Sequence, residues 1–505
     1  MEFLTVFFIL FITSVSYTLL FKKRIEQVIP ITTVTIILII YIVGLLDHLK
    51  LGVLFVTLGA FIQLIGIAIY FTKNVSNLKD ILAQILTPGL FLYIGLFILS
   101  IVVNKGRIFE DYDEYNHWGI IIKNMFLYNN YGTNPESLVA FNEYPPFTAI
   151  FQYLFIQIKG VFVEDVIITA HNILYFSLII PITKHITWKK NIKQMLLAIM
   201  VIVLVPIIFY PNFYTNILVD GILGIAFAYV LYSSYREEDN SQFQFLEIFC
   251  GMTILLLTKT QGIGLAILAM IIILFQLWLE RKKQTVRKKV KLLFFSVICA
   301  VMLLSIWNIK IRKEQHRWDF TRMYQEQSVE TTKKVTKEFI HAIFKGKFIT
   351  ERKVTAFCVF IGIFVLMLVH YKQTREKHKK YRYYILSMAI GTLVYLIGML
   401  WMYCTIFEED EALILASFAR YMFTIVLADT MFFSFVLLEG KVNKVMTITV
   451  MIIITMMLPF YTLQKKYIGK KENIVNSYLY RFDNMRNEKI RKAIKKRRQS
   501  PIYYQ

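Results

Sequence analysis

The sequence predicts an all-α fold, a polytopic transmembrane bundle of about 14 helices. Of the 505 residues, 57% are hydrophobic and 18% are charged, whereas soluble domains carry about 25% charged residues. The mean hydropathy is +0.54. Uncharged apolar runs such as 31–46, 81–103 and 445–460 approach the roughly 20 residues that cross a hydrocarbon core. Because such runs recur along nearly the whole chain, a soluble protein with buried core helices is excluded, and the lipid bilayer is the first expected partner.

Each apolar run bounded by basic, polar or proline-containing residues predicts one helix. The predicted helices are residues 1–21, 28–46, 51–71, 81–103, 162–183, 194–210, 214–235, 244–258, 262–279, 291–309, 354–371, 382–404, 412–438 and 445–463. Basic residues follow the first run, at 22–24, which is the reverse of a cleavable signal peptide. We therefore expect the first helix to remain in the membrane with its N-terminus outside.

Basic clusters predict which helix ends lie in the cytoplasm, because cytoplasmic loops are enriched in Lys and Arg. Residues 22–24, 184–193, 281–291 and 372–382 all fall on the inner side in this arrangement. Two features oppose it. The segment 310–353 is also rich in Lys and Arg, and the basic tail leaves the bundle on the outer side.

The arrangement divides the chain into six parts. They are N-terminal transmembrane helices (1–103), a first large outer loop with an acidic motif (104–161), central transmembrane helices (162–309), a second outer loop (310–353), C-terminal transmembrane helices (354–463) and a basic tail (464–505). The first outer loop contains the densest group of polar side chains, so we expect the chemistry there.

The net charge of +23 does not indicate a nucleic-acid partner. The excess flanks the membrane helices and carries no recognition module with interleaved aromatic residues, so anionic lipid head groups explain it better. The chain has no glycine-rich nucleotide loop, which argues against an ATP-driven pump. Its four cysteines have no metal-ligand spacing.

An acidic segment follows the fourth predicted helix. It contains Glu110, Asp111, Asp113, Glu114 and His117. The next residues, 120–128, form an amphipathic stretch that predicts a helix lying along the membrane surface. Acidic residues commonly cap such a helix, but a cap needs one carboxylate and this segment has four. A carboxylate held at the outer edge of a bundle can instead take a proton from a hydroxyl.

Three further charged residues lie at predicted outer helix ends. Lys259 falls in a polar break between two short apolar segments, where interrupted helices often place functional groups; a tight turn with a snorkelling lysine is the alternative. Arg420 lies inside an apolar helix, where an isolated charge costs about 2.5–3.5 kcal/mol. Its partner is either a phosphate or the acidic residues at 408–411. Asp220 either assists Asp113 or binds a sugar hydroxyl; the alternative is that it caps its helix or forms a structural ion pair.

These residues resemble a known family. The pair Asp113-Glu114 and the element Tyr144-Pro145-Pro146-Phe147 are similar to the first outer loop of the GT-C glycosyltransferases, in the branch that contains aminoarabinose lipid A transferase and protein mannosyltransferases. Four helices precede the acidic loop here, where the family commonly has one. The resemblance implies a GT-C-like bundle in the cell membrane with its active site on the extracytoplasmic face, and the composition suits a bacterium.

The resemblance also implies an activity. The donor would be a polyprenyl-phosphate-linked sugar and the acceptor a hydroxyl on a glycan, lipid or protein. Asp113 would be the catalytic base, with Asp111 as the alternative base and Glu114 supporting the loop or the acceptor. The implied substrate-binding residues are Glu110, His117, Asp220, Lys259, Arg420 and Tyr421. No metal ligand is assigned, although carboxylates beside a phosphate could hold a divalent cation.

Other functions remain open. A polymerase or ligase of lipid-linked glycans would gather arginines in a late outer loop, and Arg312, Arg317 and Arg322 lie in one. A transporter of lipids or glycans would place charges near the bilayer midplane, whereas the charges noted above gather at one face. A membrane scaffold would need neither the acidic segment nor the break at Lys259.

Overall fold

The backbone of a chain that enters a bilayer must satisfy its own hydrogen bonds, so apolar runs of this length form helices. The computed structural model is 83% helical and has no strand among its described residues, which confirms the all-α polytopic class. The described residues are 1–133, 139, 141, 143–188, 191–236, 238–281, 286–315, 327–374, 378–439, 444–464 and 467. Most of the predicted basic tail therefore lies outside them.

We number the helices in chain order. They are α1 (Glu2–Phe21), α2 (Ile25–Gly44), α3 (Leu49–Lys73), α4 (Leu78–Ile85), α5 (Pro88–Asn104), α6 (Gly119–Tyr128), α7 (Phe147–Lys159), α8 (Glu164–Ile179), α9 (Ile192–Phe209), α10 (Asp220–Tyr235), α11 (Ser241–Thr258), α12 (Thr260–Leu279), α13 (Val286–Gln315), α14 (Val329–Phe344), α15 (Ala356–Gln373), α16 (His378–Thr405), α17 (Glu409–Leu413), α18 (Phe418–Leu438), α19 (Lys444–Met457) and α20 (Phe460–Leu463). A π-helical turn, Glu114–Trp118, precedes α6.

Each of the predicted segments contains a helix, but fewer are long enough to cross a bilayer. Eleven described helices are long and apolar enough to cross a bilayer, or up to 12 if the bent pair ending in α5 is one span. The difference from about 14 arises because α10 has 16 residues and α19 has 14. The central helix α10 is nevertheless buried along its whole length.

The segment predicted as one helix at 81–103 is broken. The helices on either side of the break meet at 50°. Pro88 begins α5, and the Thr87 side chain accepts the Leu90 N–H at 3.1 Å. Since proline lacks an N–H and cannot continue a helix from the preceding turn, Pro88 determines the position of the break.

The predicted first outer loop contains a buried helix that periodicity did not identify. Helix α7 buries ten consecutive residues, 147–156, and ends at Gly160, whose φ of +81° suits a glycine cap. The amphipathic stretch predicted at 120–128 is helical as expected, since it forms α6. The described part of this segment therefore contains two helices, α6 and α7.

Each end of the bundle has its own set of ion pairs. At one end, which we call the clasp end, Lys23 pairs with Glu238 at 2.5 Å and Lys184 with Glu439 at 3.0 Å. The opposite end, which we call the loop end, carries the acidic segment and the Lys310 pair with Asp47 at 2.9 Å. The basic groups at 22–24 and 184–193 were predicted to share one side. The start of the second group meets the first at the clasp end, where Arg24 donates to the carbonyl oxygens of Lys184 and Ile186.

Helices α10 and α18 form the centre of the bundle and carry three of the candidate site residues, Asp220, Arg420 and Tyr421. A methyl group on Gly224 of α10 would lie 2.5 Å from the carbonyl oxygen of Thr424 on α18. Glycine therefore permits the close approach of these two helices. As a result, the N-terminal ends of α10 and α18, with Asp220 and Arg420, lie side by side at the loop end.

Candidate functional site

Arg420 joins the acidic segment to the centre of the bundle. Its Nη1 donates to Asp113 Oδ2, across 307 residues of sequence, and its Nε lies 3.1 Å from Asp220 Oδ2. The Arg420 side chain is 11% exposed and that of Asp220 is 3% exposed, whereas that of Asp113 is 27% exposed. The partners expected from sequence as an alternative, residues 408–411, are therefore not needed to explain the buried guanidinium.

Lys259 lies in the predicted break, between the end of α11 and the start of α12. Its backbone is extended, with φ −161° and ψ 154°. Its Nζ lies 3.5 Å from Asp220 Oδ1 and 5.0 Å from the centre of the Tyr421 ring. Asp220 thus lies between two cations, Lys259 and Arg420, that approach it from different helices.

Glu114 fixes the acidic segment in place. Its Oε2 accepts the N–H groups of Glu110 and Asp111, each at 2.8 Å, and its Oε1 accepts the Ile217 N–H at 3.0 Å. Because Ile217 precedes α10, these bonds attach the acidic segment to the helix that carries Asp220. Both oxygens of Glu114 are used in this way.

Asp113 precedes the π-helical turn but makes no side-chain cap on it. Its backbone N–H donates instead to Asp111 Oδ1 at 3.1 Å, and its carboxylate is directed to Arg420. The helix-cap interpretation of the acidic segment therefore does not describe Asp113. Turns of π geometry inside helices occur often at functional sites.

The two aspartates of the segment differ in their electrostatic environment. Burial and the neighbouring charge of Asp113 raise the pKa of Asp111. Burial also acts to raise the pKa of Asp113, but the Arg420 guanidinium outweighs it and holds that pKa below its ordinary value. Environments that push two carboxyl pKa values apart distinguish the roles of the two groups. Of the two candidate bases, Asp113 ionises more readily than Asp111.

His117 lies in an aromatic cluster beside the aspartates. Its ring centre is 4.3 Å from that of Trp118, 5.3 Å from Tyr144 and 5.8 Å from Phe141. Its Nδ1 is buried without a hydrogen-bond partner. Burial lowers the pKa of His117 to about 3, so the imidazole is neutral and can donate or accept one hydrogen bond.

Glu110 and Arg312 are more exposed than the residues of this cluster. The Glu110 side chain is exposed and its charge acts on Arg107. Arg312 lies in the last turn of α13, whereas Arg317 and Arg322 lie outside the described residues. Within the described part of the chain, no three His, Cys, Asp or Glu side chains are arranged to hold one metal ion.

Two residues of this region were missed by sequence reasoning. Tyr395 of α16 accepts a hydrogen bond from Gln261 at 2.6 Å and donates to the Tyr421 carbonyl oxygen at 2.8 Å, so it ties the break after Lys259 to α18. Asp429 is buried within α18, where Thr392 donates to it at 2.8 Å. An acidic residue in an apolar span is itself a signal, and it could have identified Asp429.

Comparison of the chain with family models, with curated proteins and with solved structures gives no match in any of the three. The fold class that the helices define is that of a multi-pass membrane protein.

Proposed function

We propose that this protein is a membrane glycosyltransferase that moves a sugar from a polyprenyl-phosphate donor to an acceptor hydroxyl, with inversion at the anomeric carbon. The observation that carries the proposal is the convergence of Asp113, Asp220, Lys259 and Arg420 at one end of the bundle. A base, two cations and a neighbouring neutral imidazole at the bilayer edge suit a substrate with a hydroxyl, a phosphate and a lipid tail.

Lys259 and Arg420 bind the phosphate of the donor in this mechanism. The phosphodiester carries one negative charge, and the leaving phosphate gains a second when its bond to the anomeric carbon breaks. Two cations fixed in advance stabilise that developing charge, which is usually the largest contribution to catalysis. The Tyr421 ring, beside Lys259, limits where its ammonium group can lie.

Donor binding also activates the base. Without donor, Arg420 is paired with Asp113 and stabilises its charge. A phosphate that takes over the guanidinium releases the Asp113 carboxylate and raises its proton affinity. Asp113 then accepts the proton of the acceptor hydroxyl, whose oxygen attacks the anomeric carbon from the face opposite the phosphate. A glycosidic bond forms, the bond to the phosphate oxygen breaks, and the electron pair leaves with the phosphate.

The remaining residues position this machinery. Glu114 holds the acidic segment against the residues before α10, and Asp220 orients both cations. The charge of Asp113 acts on the His117 ring, and a hydrogen bond to the donor sugar or its phosphate is the role that fits the neutral imidazole. The wider family placement, a GT-C enzyme of a bacterial cell membrane acting on its outer face, is part of the same proposal.

Transfer of a radiolabelled sugar tests the proposal. Full-length protein in lipid nanodiscs would be given polyprenyl-phosphate-linked sugars and an extracted acceptor pool. We expect transfer by the wild type and a loss of about 100-fold or more in Asp113→Asn and in Lys259→Ala. Glu338→Gln and Lys334→Ala, exposed residues of α14, are the matched controls. Equal transfer by Asp113→Asn would overturn the assignment of the base.

A transporter of lipid-linked glycans is the second candidate, and Asp429 favours it. This carboxyl is buried inside a membrane-spanning helix, where transporters commonly place polar groups. Movement of a fluorescent lipid-linked sugar across proteoliposomes, abolished by Asp429→Asn but not by Asp113→Asn, would favour transport over transfer.

A further inference from the structure

Helix α14 lies across the ends of other helices at the loop end. It buries Thr331, Val335, Phe339 and Ile343, one residue in each turn. The Phe339 ring centre lies 6.2 Å from that of Tyr403 in α16 and 5.6 Å from that of Phe418 in α18. Because α15, α16 and α18 run through the bilayer and α14 covers their ends, α14 lies near the depth of the lipid head groups.

The opposite face of α14 is apolar as well as basic. Val329 is 73% exposed, and Ile340 and Phe344 are each 51% exposed. Lys333 and Lys337 project between them, since successive residues of a helix are about 100° apart and all five fall within a sector of about 80°. A shallow groove on this face is lined by Thr332, Lys333, Thr336, Lys337 and Ile340. We call the five residues of the sector the α14 strip.

The α14 strip continues the lipid-facing surface of the bundle. The Phe344 ring centre lies 4.7 Å from that of Phe357, in the first turn of α15. Phe357 is 42% exposed, and Ile361, one turn further into the span, is 50% exposed. The apolar side of α15 therefore passes directly into the strip. Two more exposed lysines, Lys345 and Lys347, follow α14 at the same place.

We propose that the α14 strip binds the head groups of anionic bilayer lipids. Val329, Ile340 and Phe344 insert among the upper parts of the acyl chains, while Lys333 and Lys337 extend to the phosphate oxygens. This inference does not depend on the proposed glycosyl transfer. It also gives a physical reason for Lys333 and Lys337, two of the lysines that the rule for cytoplasmic loops left unexplained.

Site-directed spin labelling tests the depth of the strip. A label at Ile340→Cys, in full-length protein whose native cysteines are replaced by alanine, would be compared with a label at His341→Cys. His341 is the neighbouring exposed residue and lies about 100° away around the helix. In nanodiscs containing phosphatidylglycerol, we expect the label at 340 to collide more often with oxygen than with an aqueous nickel complex. The label at 341 should show the reverse order.

Two results would overturn the proposal. Equal access of the nickel complex to both positions would mean that the strip faces water. A label at 340 shielded from both reagents would mean that protein covers the strip, either a second copy of the chain or a bound partner.

A lipid titration tests the lysines without cysteine substitution. Each lysine near an anionic surface contributes a factor of about five in affinity. The concentration of phosphatidylglycerol that half-maximally raises the melting temperature in detergent should therefore rise about 25-fold in Lys333→Gln/Lys337→Gln. Lys334→Gln is the matched control, because Lys334 pairs with Glu330 at 2.7 Å outside the strip. An unchanged titration in the double variant would contradict the proposal.

Discussion

The clasp end and the loop end both bury charged side chains, but they balance those charges differently. At the clasp end, Arg236 contacts Glu247 and Glu238, and Glu439 contacts Lys184 and Tyr232. In this network three acids, Glu238, Glu247 and Glu439, contact three bases, Lys23, Lys184 and Arg236. A buried charge is tolerated when it is paired and hydrogen-bonded, so this network needs no ligand.

The loop end is not balanced in this way. Three aspartates, Asp111, Asp113 and Asp220, share two cations, and the Asp113 carboxylate remains partly exposed. An open network with a reachable carboxylate can exchange one partner for a substrate group. Burial of charge alone therefore does not indicate a functional site. Incomplete pairing of the charges, together with access to solvent, does.

The largest expected effect is at the clasp end. Arg236→Leu leaves Glu247 buried without its partner, and breaking a buried pair from one side costs about 3–5 kcal/mol. Thermal unfolding in nanodiscs should show a clearly lower melting temperature. The double variant Arg236→Leu/Glu247→Leu removes both charges and should recover most of the loss. A single variant as stable as the wild type would mean that this network is not a structural clasp.

Arg420→Gln should affect function more than stability. Asp113 can take up water once Arg420 is gone, and Asp220 retains Lys259. We expect a loss of transfer of about 100- to 1000-fold, as for removal of one donor to a developing charge, with a smaller fall in melting temperature than in Arg236→Leu. Arg420→Lys keeps the charge but cannot bridge two carboxylates as the guanidinium does, so its transfer rate should be intermediate. If Arg420→Gln lowered the melting temperature more than Arg236→Leu does, the proposed difference between the two ends would be wrong.

The two ends should also lose stability in different pH ranges. The pKa of His117 falls to about 3 in the folded protein from 6.5, so the unfolded chain binds more protons between these values and His117 lowers stability as pH falls through that range. Although burial opposes it, His185 and Lys184 lower the pKa of Glu439 to about 2 from 4.5. The stabilising contribution of Glu439 is present above pH 4.5 and is lost as pH falls toward 2.

Melting temperatures measured from pH 7 to pH 3 check this prediction. His117→Asn should flatten the decline between pH 6.5 and pH 4, relative to the wild type. Glu439→Gln should change the profile mainly below pH 4.5. Parallel profiles for the wild type and His117→Asn would contradict the neutral buried imidazole.

The smallest expected effect concerns Asp429. Hydrogen bonds between membrane helices are worth about 0.6 kcal/mol and at most about 1.7, so Asp429→Leu should lower stability by about that amount through loss of the Thr392 bond. Asp429→Asn keeps an acceptor for Thr392 and should be close to neutral. If Asp429→Asn lowered the melting temperature as much as Arg236→Leu does, the Asp429 carboxylate would contribute as much to stability as the ion pairs of the clasp end.

Much of the fold could be predicted because the bilayer imposes a simple rule on the sequence. Apolar runs of membrane length must form helices, so the predicted segments at 1–21 and 28–46 contain α1 and α2. Helix α7 was missed because its apolar residues lie in a segment that was assigned to a loop. The break before α5 was also missed, although Pro88 indicated that a helix begins there. Two of the predicted segments contain helices, α10 and α19, that are shorter than the other described spans.

The candidate residues of the site could be named from sequence because charges are rare in apolar segments and each one requires a reason. Their partners could not. Arg420 was expected to pair with a phosphate or with the acidic residues at 408–411, and only the packing of α18 against α10 brings it to Asp220. The same packing leaves Glu110 outside the cluster and assigns both oxygens of Glu114 to the backbone.

The sequence by itself determined that this chain is a helical membrane protein, where most of its helices lie, and which charged residues require explanation. These properties follow from composition and local periodicity, which act over a few turns of helix. The tertiary structure decided that Asp113, Asp220, Lys259 and Arg420 meet, because contacts across 307 residues depend on how helices pack. It also decided that the lysines of α14 share one face with exposed apolar side chains, since that face exists only once the other has packed against α16 and α18.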